Sequence, residues 1–498
     1  MSNIAAPPPL RTPRVAIIGA GMSGIGMACK LQQAGIESFE LFEQWSDFGG
    51  TWHANTYPGL SCDVPSRYYQ YTFAPNPDWG SVLSPGAEIS AYLHRVADQH
   101  GLRAKTSFST PVADAEWTGG EWVLRTQAGR EARFDFLITA TGGLVRTRKP
   151  AIPGLEDFAS ACFHSAEWEH DVPLDGRRIG VIGTGSTGMQ ITRDLAPRAS
   201  HFSLFQRTPQ WILPLPNFRY HGWSKAVYRR FPSLQRPAYD FWRVAFEASF
   251  GRGTVKPGLV RRAIQAACRV HLRVAVKDSA LRERFRPDFV PMCKRLVMGT
   301  GFYKRFERET VELVDTAIDH VEAAGVVTVD GVLHPLDVLV LATGFDAHAF
   351  VQPMELTGPG GVRLSEVWDE EPFGYRTVGL PGFPNVLMLI GPHSPFGNQS
   401  LFAISETQQD FAMDAIGRWR RGELDTLAPT QAATERFMTD VRAAVPDTVW
   451  ASGCDSWYLG KDGLPHAWPW LPGRHRELLA QLEEADWELH RDEPPVAA

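Results

Sequence analysis

Gly19, Gly21 and Gly24 are spaced as G-x-G-x-x-G in RVAIIGAGMSGIGMACKLQQAG, and Glu43 stands twenty-four residues beyond the first of them. Gly183, Gly185 and Gly188 repeat the spacing in RRIGVIGTGSTGMQITRDLA, and there the residue at the same offset is Arg207. In such a loop the first glycine permits a tight turn. The second lets backbone approach a pyrophosphate, and the third lets the helix lie close on the strand. An acid at the far offset accepts from a ribose 2′-hydroxyl, whereas a guanidinium pairs with a 2′-phosphate that an acid would repel. The first site is therefore expected to take a dinucleotide with a free ribose, FAD or NAD, and the second NADPH. Thr184, Ser186, Thr187 and Gln206 fall within reach of the second ligand. Two complete units with matched offsets argue against glycine turns that bind nothing.

Each loop must be held between a buried strand and a helix, and the flanking sequence reads that way. RVAII and RRIGVI are apolar runs of strand length, SFELFEQ and HFSLFQR read as the next strands, and the intervening segments have helical period. FDFLITATGG and LDVLVLATGF are a second matched pair, each a buried strand ending in a Thr-Gly turn. Between the second loop and its ATG turn, residues 218–287 read as helical and rich in arginine. That charge is expected to be a solvated helix face rather than a site for an acidic partner.

Composition sets the bounds. The chain has 498 residues, 44% apolar and 21% charged, with a formal net charge of −6. Two or three globular domains are expected, and nucleic-acid binding is not. Of the cysteines Cys29, Cys62, Cys162, Cys268, Cys293 and Cys454, no two form C-x-x-C, so neither a zinc knuckle nor a dithiol redox pair is expected, and no metal site is expected elsewhere. Scattered thiols suit a reducing cytoplasm. MSNIAAPPPLRTPR has no apolar core of a signal peptide. The apolar runs are far short of the ~20 residues that span a bilayer, which leaves only peripheral membrane contact open. Oligomeric state has no signal in the sequence.

After Glu43 comes QWSDFGGTWHANTYPGLSCDVPSRYYQYTFAPNPDW. With both glycine loops, this stretch resembles the class B flavoprotein monooxygenases and, among them, the Baeyer–Villiger monooxygenases, over nearly the whole chain. The resemblance implies tightly held FAD, hydride taken from NADPH, and a flavin carbon-4a peroxide that inserts oxygen beside a ketone to give an ester or lactone. The family's linker signature, F-x-G-x-x-x-H-x-x-x-W, is met by Phe158, His164 and Trp168, with Ser160 in place of the glycine and Glu169 after the tryptophan. His164 is then implied to couple the two nucleotide domains rather than to move a proton. The implied fold class is α/β, two Rossmann-like domains with a helical insert. FAD would take residues 1–150 and 346–498, NADPH 151–217 and 289–345, and the insert 218–288.

The resemblance also places the chemistry. Arg295, in the pair Lys294-Arg295, is implied to stabilise the peroxide anion and its adduct with the ketone, and Asp63 to orient that arginine. A fixed cation suits this, because it favours the anion without carrying a transferable proton. Lys294 would hold the 2′-phosphate with Arg207. Gly50, Thr51, Trp52 and Tyr69 fall where the family contacts FAD, and Asn398 to Ser400 where a strand, turn and helix start close the flavin site. Trp457, in ASGCDSWYLGKDG, is implied to cover bound NADP. The tryptophans of HAWPWLPG point to a bulky apolar substrate. The expected partners are a small apolar ketone and O2. The alternatives are S- or N-oxygenation by the same cofactor pair, or a non-oxygenating NADPH oxidase or flavin-binding redox sensor.

Overall fold

The computed structural model describes residues 10–394 and 398–490. Four apolar residues, Val15–Ile18, form β1, and all four are buried. Burial on both faces is what a central parallel strand requires, and it explains why the run is continuous rather than alternating. Helix α1 (Met22–Gln33) follows, then β2 (Phe39–Phe42), the short β3 (Thr106–Ser107) and β4 (Phe136–Thr139). The second sheet contains β5 (Ala161–His164), β6 (Arg178–Ile182), β7 (His201–Phe205), β8 (Val311–Val314) and β9 (Val338–Leu341), with helix α2 (Ser186–Leu195) after β6. The chain then returns to the first sheet with β10 (Val386–Met388).

The two sheets have one plan. The orders are β10-β4-β1-β2-β3 and β8-β7-β6-β9-β5, and every ladder is parallel. In each, the strand that enters the glycine loop is central, between the strand that carries the Glu43 or Arg207 offset and the strand that ends in Ala-Thr-Gly. The ATG strands are thus neighbours of the loops. A Cβ on Gly19 would strike the Ala140 carbonyl, and one on Gly183 the Ala342 carbonyl; both glycines have positive φ. These contacts leave room only for glycine.

The arginine-rich stretch is helical, with α3 (Gly222–Arg230), α4 (Gln235–Phe246) and α5 (Leu259–Ala275) as its main elements. It packs onto the first half through aromatic edges, Tyr239 and Phe246 lying 5.2 and 6.1 Å from Tyr68. Near the C-terminal end, α6 (Leu401–Arg420) lies along α1. Ser405 donates to the Ser23 hydroxyl (2.9 Å), and Gln409 reaches the Ser23 carbonyl (3.2 Å). Among the described residues no helix is long and apolar enough to cross a membrane.

Candidate active site

The first loop is built for close approach. Gly21 and Gly50 face each other, so that a Cβ on Gly50 would lie 2.9 Å from the Gly21 Cα, and a Cβ on Gly24 would run into the Gly19 carbonyl. Glu43 is buried just beyond β2. Its carboxylate accepts from the Ala20 amide (2.7 Å) inside the loop and from the Trp45 amide (3.0 Å). Burial raises its pKa, and those bonds work in the opposite direction. Glu43 thus braces the loop as well as standing at the expected ribose position. Thr51 opens the short helix Thr51–Ala54. The indole of Trp52 donates to the hydroxyl of buried Tyr69 (3.3 Å), and Tyr69 packs edge-on against Phe402 (4.8 Å).

The second loop is more open. A Cβ on Gly185 would meet nothing within 4 Å, whereas one on Gly188 would collide with the Gly183 carbonyl. Ser186, the first residue of α2, has a buried hydroxyl oxygen with no hydrogen-bond partner. An orphan hydroxyl beside open backbone at a helix N-terminus fits a pyrophosphate. Thr184 donates to the Thr208 carbonyl (2.7 Å), and Thr187 donates to the Tyr57 hydroxyl (3.4 Å). Gln206 is buried, and its amide donates to the Arg284 carbonyl (2.8 Å), bracing the insert against the end of β7. Arg207 is exposed. The residues of both loops therefore fit dinucleotides of the expected kinds.

Arg295 and Asp63 converge from opposite halves. The Arg295 Nε lies 3.1 Å from Asp63 Oδ2, and one terminal nitrogen lies 2.5 Å from Oδ1. Burial opposes the arginine's charge, but Asp63 outweighs it and raises the pKa. Arg295 lines a pocket with Phe250, Met292, Leu296, Trp450 and Trp468. The first of these comes from the insert, and Trp468 and Trp470 are the tryptophans of HAWPWLPG. A separate cleft of about 620 Å³, lined by Trp45, His53, Trp168 and Phe345 among others, lies at the linker and contains neither Arg295 nor Asp63.

Lys294 lies over the Phe289 ring (5.1 Å). Burial lowers its pKa and Arg207 adds to the effect, while Asp455 opposes it. Two cations within electrostatic reach suit a shared anion. The segment that carries Trp457 is anchored at several points. The Trp457 carbonyl accepts from His348 (2.9 Å), its ring lies against Tyr458 (4.1 Å), and 39% of the residue is exposed. His466, further on, bonds Glu371 (2.7 Å).

One expectation is corrected. Cys293 and Cys454 form a disulfide, with Cα atoms 6.4 Å apart and positions 161 apart in sequence. The C-x-x-C criterion sees only near neighbours and misses a pair made by the fold. This bond ties the residue beside Lys294 to the Trp457 segment. Sequence reasoning also missed Asp455, Tyr458 and the pocket lining from the insert, because nothing in one chain gives the register of those loops on Arg295.

The linker residues lie at the edge of the second sheet. His164 ends β5, fully buried, and its Nδ1 accepts from the Ala166 amide (3.1 Å). Its ring meets Phe345, just past the second ATG turn, at 5.8 Å, and burial lowers its pKa. Trp168 packs edge-on against Phe163 (5.0 Å), and Phe158 is buried. Asn398 donates to the Leu296 carbonyl (3.1 Å) and Ser400 caps α6. The residues just before them, 395–397, lie outside those described.

Comparison with known proteins bears on the family and the fold. The profile of a family described as flavin-binding monooxygenase-like matches residues 12–239. An uncharacterised monooxygenase of Mycobacterium tuberculosis is 52% identical over 481 residues, 97% of each chain. A Baeyer–Villiger monooxygenase of Pseudomonas aeruginosa is 32% identical over 506 residues, 100% of this chain and 95% of that one. The structure of an oxidised steroid monooxygenase bound to NADP superposes with a TM-score of 0.87 at 30% identity, covering 97% of this chain and 100% of that one. The chain belongs to the flavin-binding monooxygenase-like family and, within it, to the Baeyer–Villiger monooxygenases, flavin-dependent enzymes that use NADPH.

Proposed function

We propose that this enzyme carries out Baeyer–Villiger oxidation of an apolar ketone to an ester or lactone, with FAD in the first glycine loop and NADPH in the second. The observation that carries the reading is the Asp63-held guanidinium of Arg295 facing an apolar, tryptophan-lined pocket. FAD, reduced by NADPH, supplies the electrons that activate oxygen. Arg295 offers a fixed positive charge to the oxyanion that develops as oxygen adds to a carbonyl. Asp63 aims it, and its negative charge holds the guanidinium protonated. Phe250, Met292 and the tryptophans exclude water and take the apolar body of the ketone. Gly185, Ser186, Arg207 and Lys294 hold the pyrophosphate and 2′-phosphate of NADPH.

The test is an oxygen-consumption screen with NADPH across cyclic, aromatic and steroidal ketones, with product mass. The expected product is one oxygen atom heavier than the ketone. Sulfoxide from thioethers with no ester from any ketone would assign the enzyme to heteroatom oxygenation. Hydrogen peroxide stoichiometric with NADPH, and no oxygenated product, would make it an oxidase.

A further inference from the structure

Helix α5 is apolar on two opposite sides. Ile264, Cys268 and Leu272 are buried against the protein. On the far side, at the same helical spacing, Leu259, Ala263, Ala266, Val270 and Val274 face outward, and Leu259, Val270 and Val274 are 78, 60 and 72% exposed. A surface helix ordinarily turns polar residues to water, so an outward apolar stripe marks a face that something covers. Other helices of the insert also expose large apolar side chains. Trp223 on α3 is 72% exposed, and Phe241 on α4 is 65% exposed. Ten of the eighteen exposed large apolar side chains among the described residues fall between 218 and 274.

Charge says what covers the face. Residues 218–288 contain sixteen Lys and Arg against five Asp and Glu, a net of +11 in a chain whose net charge is −6. Arg262, Arg269 and Arg273 flank the apolar stripe of α5, and none has a carboxylate within ion-pair distance among the described residues. The expected solvated basic face accounts for these arginines, which run along one edge of the stripe, but not for the apolar stripe beside them. A second copy of the chain would set one strongly positive insert against another. An anionic lipid surface matches both features, its acyl boundary taking the aliphatic and aromatic side chains and its headgroups the arginines.

We propose that the helical insert docks this enzyme on anionic membrane surfaces through the outer face of α5. The test is co-sedimentation of the full-length holoenzyme with vesicles of phosphatidylcholine alone and of phosphatidylcholine mixed with phosphatidylglycerol. Wild-type protein should sediment with the anionic vesicles at low salt, be released by high salt, and stay in solution with the neutral ones. Arg262→Gln and Arg273→Gln should each weaken partitioning roughly fivefold. Val270→Ser with Val274→Ser should weaken it at every salt concentration at which wild type binds. All four positions are exposed, so flavin content and melting temperature should be those of wild type. The proposal fails if wild type ignores anionic vesicles, or if the variants bind them as wild type does. It also fails if light scattering finds a stable dimer that these same substitutions split, because the face would then join two copies.

Discussion

Arg295 and Asp63 stand 232 residues apart in the chain and meet in a two-pronged pair, with contacts of 2.5 and 3.1 Å. The pair is lopsided. The Asp63 side chain is 9% exposed and that of Arg295 32%. The carboxylate is thus the buried anchor, and the guanidinium is the face turned to the pocket. A planar fork held at two nitrogens cannot swing, so its charge is preorganised where a lysine's would wander. The pair also joins the two halves of the molecule.

The two glycine loops should separate on mutation. Gly24→Ala forces a Cβ into the Gly19 carbonyl, so it is expected to yield little flavin-loaded protein. Gly185→Ala meets no protein atom and its φ of −69° suits alanine, so the variant should fold and stay yellow. Its Michaelis constant for NADPH should nevertheless rise by roughly tenfold or more, because the methyl occupies the approach to the pyrophosphate. Absorbance at the flavin band and steady-state kinetics would check both. An unchanged NADPH constant would remove Gly185 from the cofactor site.

Arg207→Ala should narrow the preference for NADPH over NADH. One charge-assisted contact to a 2′-phosphate contributes about 1.5–3 kcal/mol, or roughly ten- to hundredfold in binding. The loss should fall on the Michaelis constant for NADPH and leave that for NADH nearly unmoved. Lys294→Ala should act in the same direction. Equal losses with both cofactors would place these cations elsewhere than at the 2′-phosphate.

The glycine loops and ATG turns were legible because their residue types are dictated by backbone contact. Gly19 against Ala140 and Gly183 against Ala342 tolerate nothing else, so the spacing survives as a readable pattern. The Arg295–Asp63 pair was legible only through the family resemblance, since CKR alone is an ordinary basic run. The pocket wall was not legible. Phe250, Trp450 and Trp468 reach Arg295 from three separate segments, and local periodicity has no access to such meetings. The Cys293–Cys454 bond escaped for the same reason. The outward stripe of Leu259, Val270 and Val274 was not legible, because only burial separates the two faces of α5.

The disulfide makes a count that can be checked. Denatured without reductant, the chain should take up four alkyl groups, at Cys29, Cys62, Cys162 and Cys268, and six after reduction. Cys454→Ser should lower the unfolding free energy by roughly 2–5 kcal/mol, the range for removing a native cross-link. Six groups before reduction would show that the two sulfurs are not joined.

Acid should weaken the fold through two buried histidines. Burial lowers both His393 and His475 to a pKa of about 3, with the cation of Arg476 adding to the effect on His475. The ordinary value is about 6.5, so below it the unfolded chain takes up protons that the folded rings refuse. Their contribution is complete above pH ~6.5 and drains away as pH falls toward the folded value. Near pH ~5 the deficit is about 2 kcal/mol for each ring. His475→Asn should therefore flatten the dependence of stability on pH by about 1.4 kcal/mol per unit in that window. Denaturant titrations at several pH values would measure it, and a slope equal to wild type would mean that the ring is charged in the folded state.

The decisive variant is Arg295→Ala. Oxygen transfer builds negative charge on the carbonyl oxygen of the ketone, and the paired guanidinium is the fixed cation that lines the pocket. Hydride transfer from NADPH develops no such charge there, so the two half-reactions should come apart. Flavin reduction under anaerobic conditions should stay within a modest factor of wild type. Ester formation should fall by ~10²-fold or more, the scale of losing one preorganised oxyanion donor, while NADPH is still consumed with release of hydrogen peroxide. Asp63→Ala should show the same split less severely, since the cation remains and only its aim is lost. Arg295→Lys should recover little, because an ammonium cannot reproduce the two-point hold on Asp63. Stopped-flow reduction paired with product and peroxide assays reads both steps. Full ester yield from Arg295→Ala would overturn its assignment, and a block already at flavin reduction would move its role to hydride transfer.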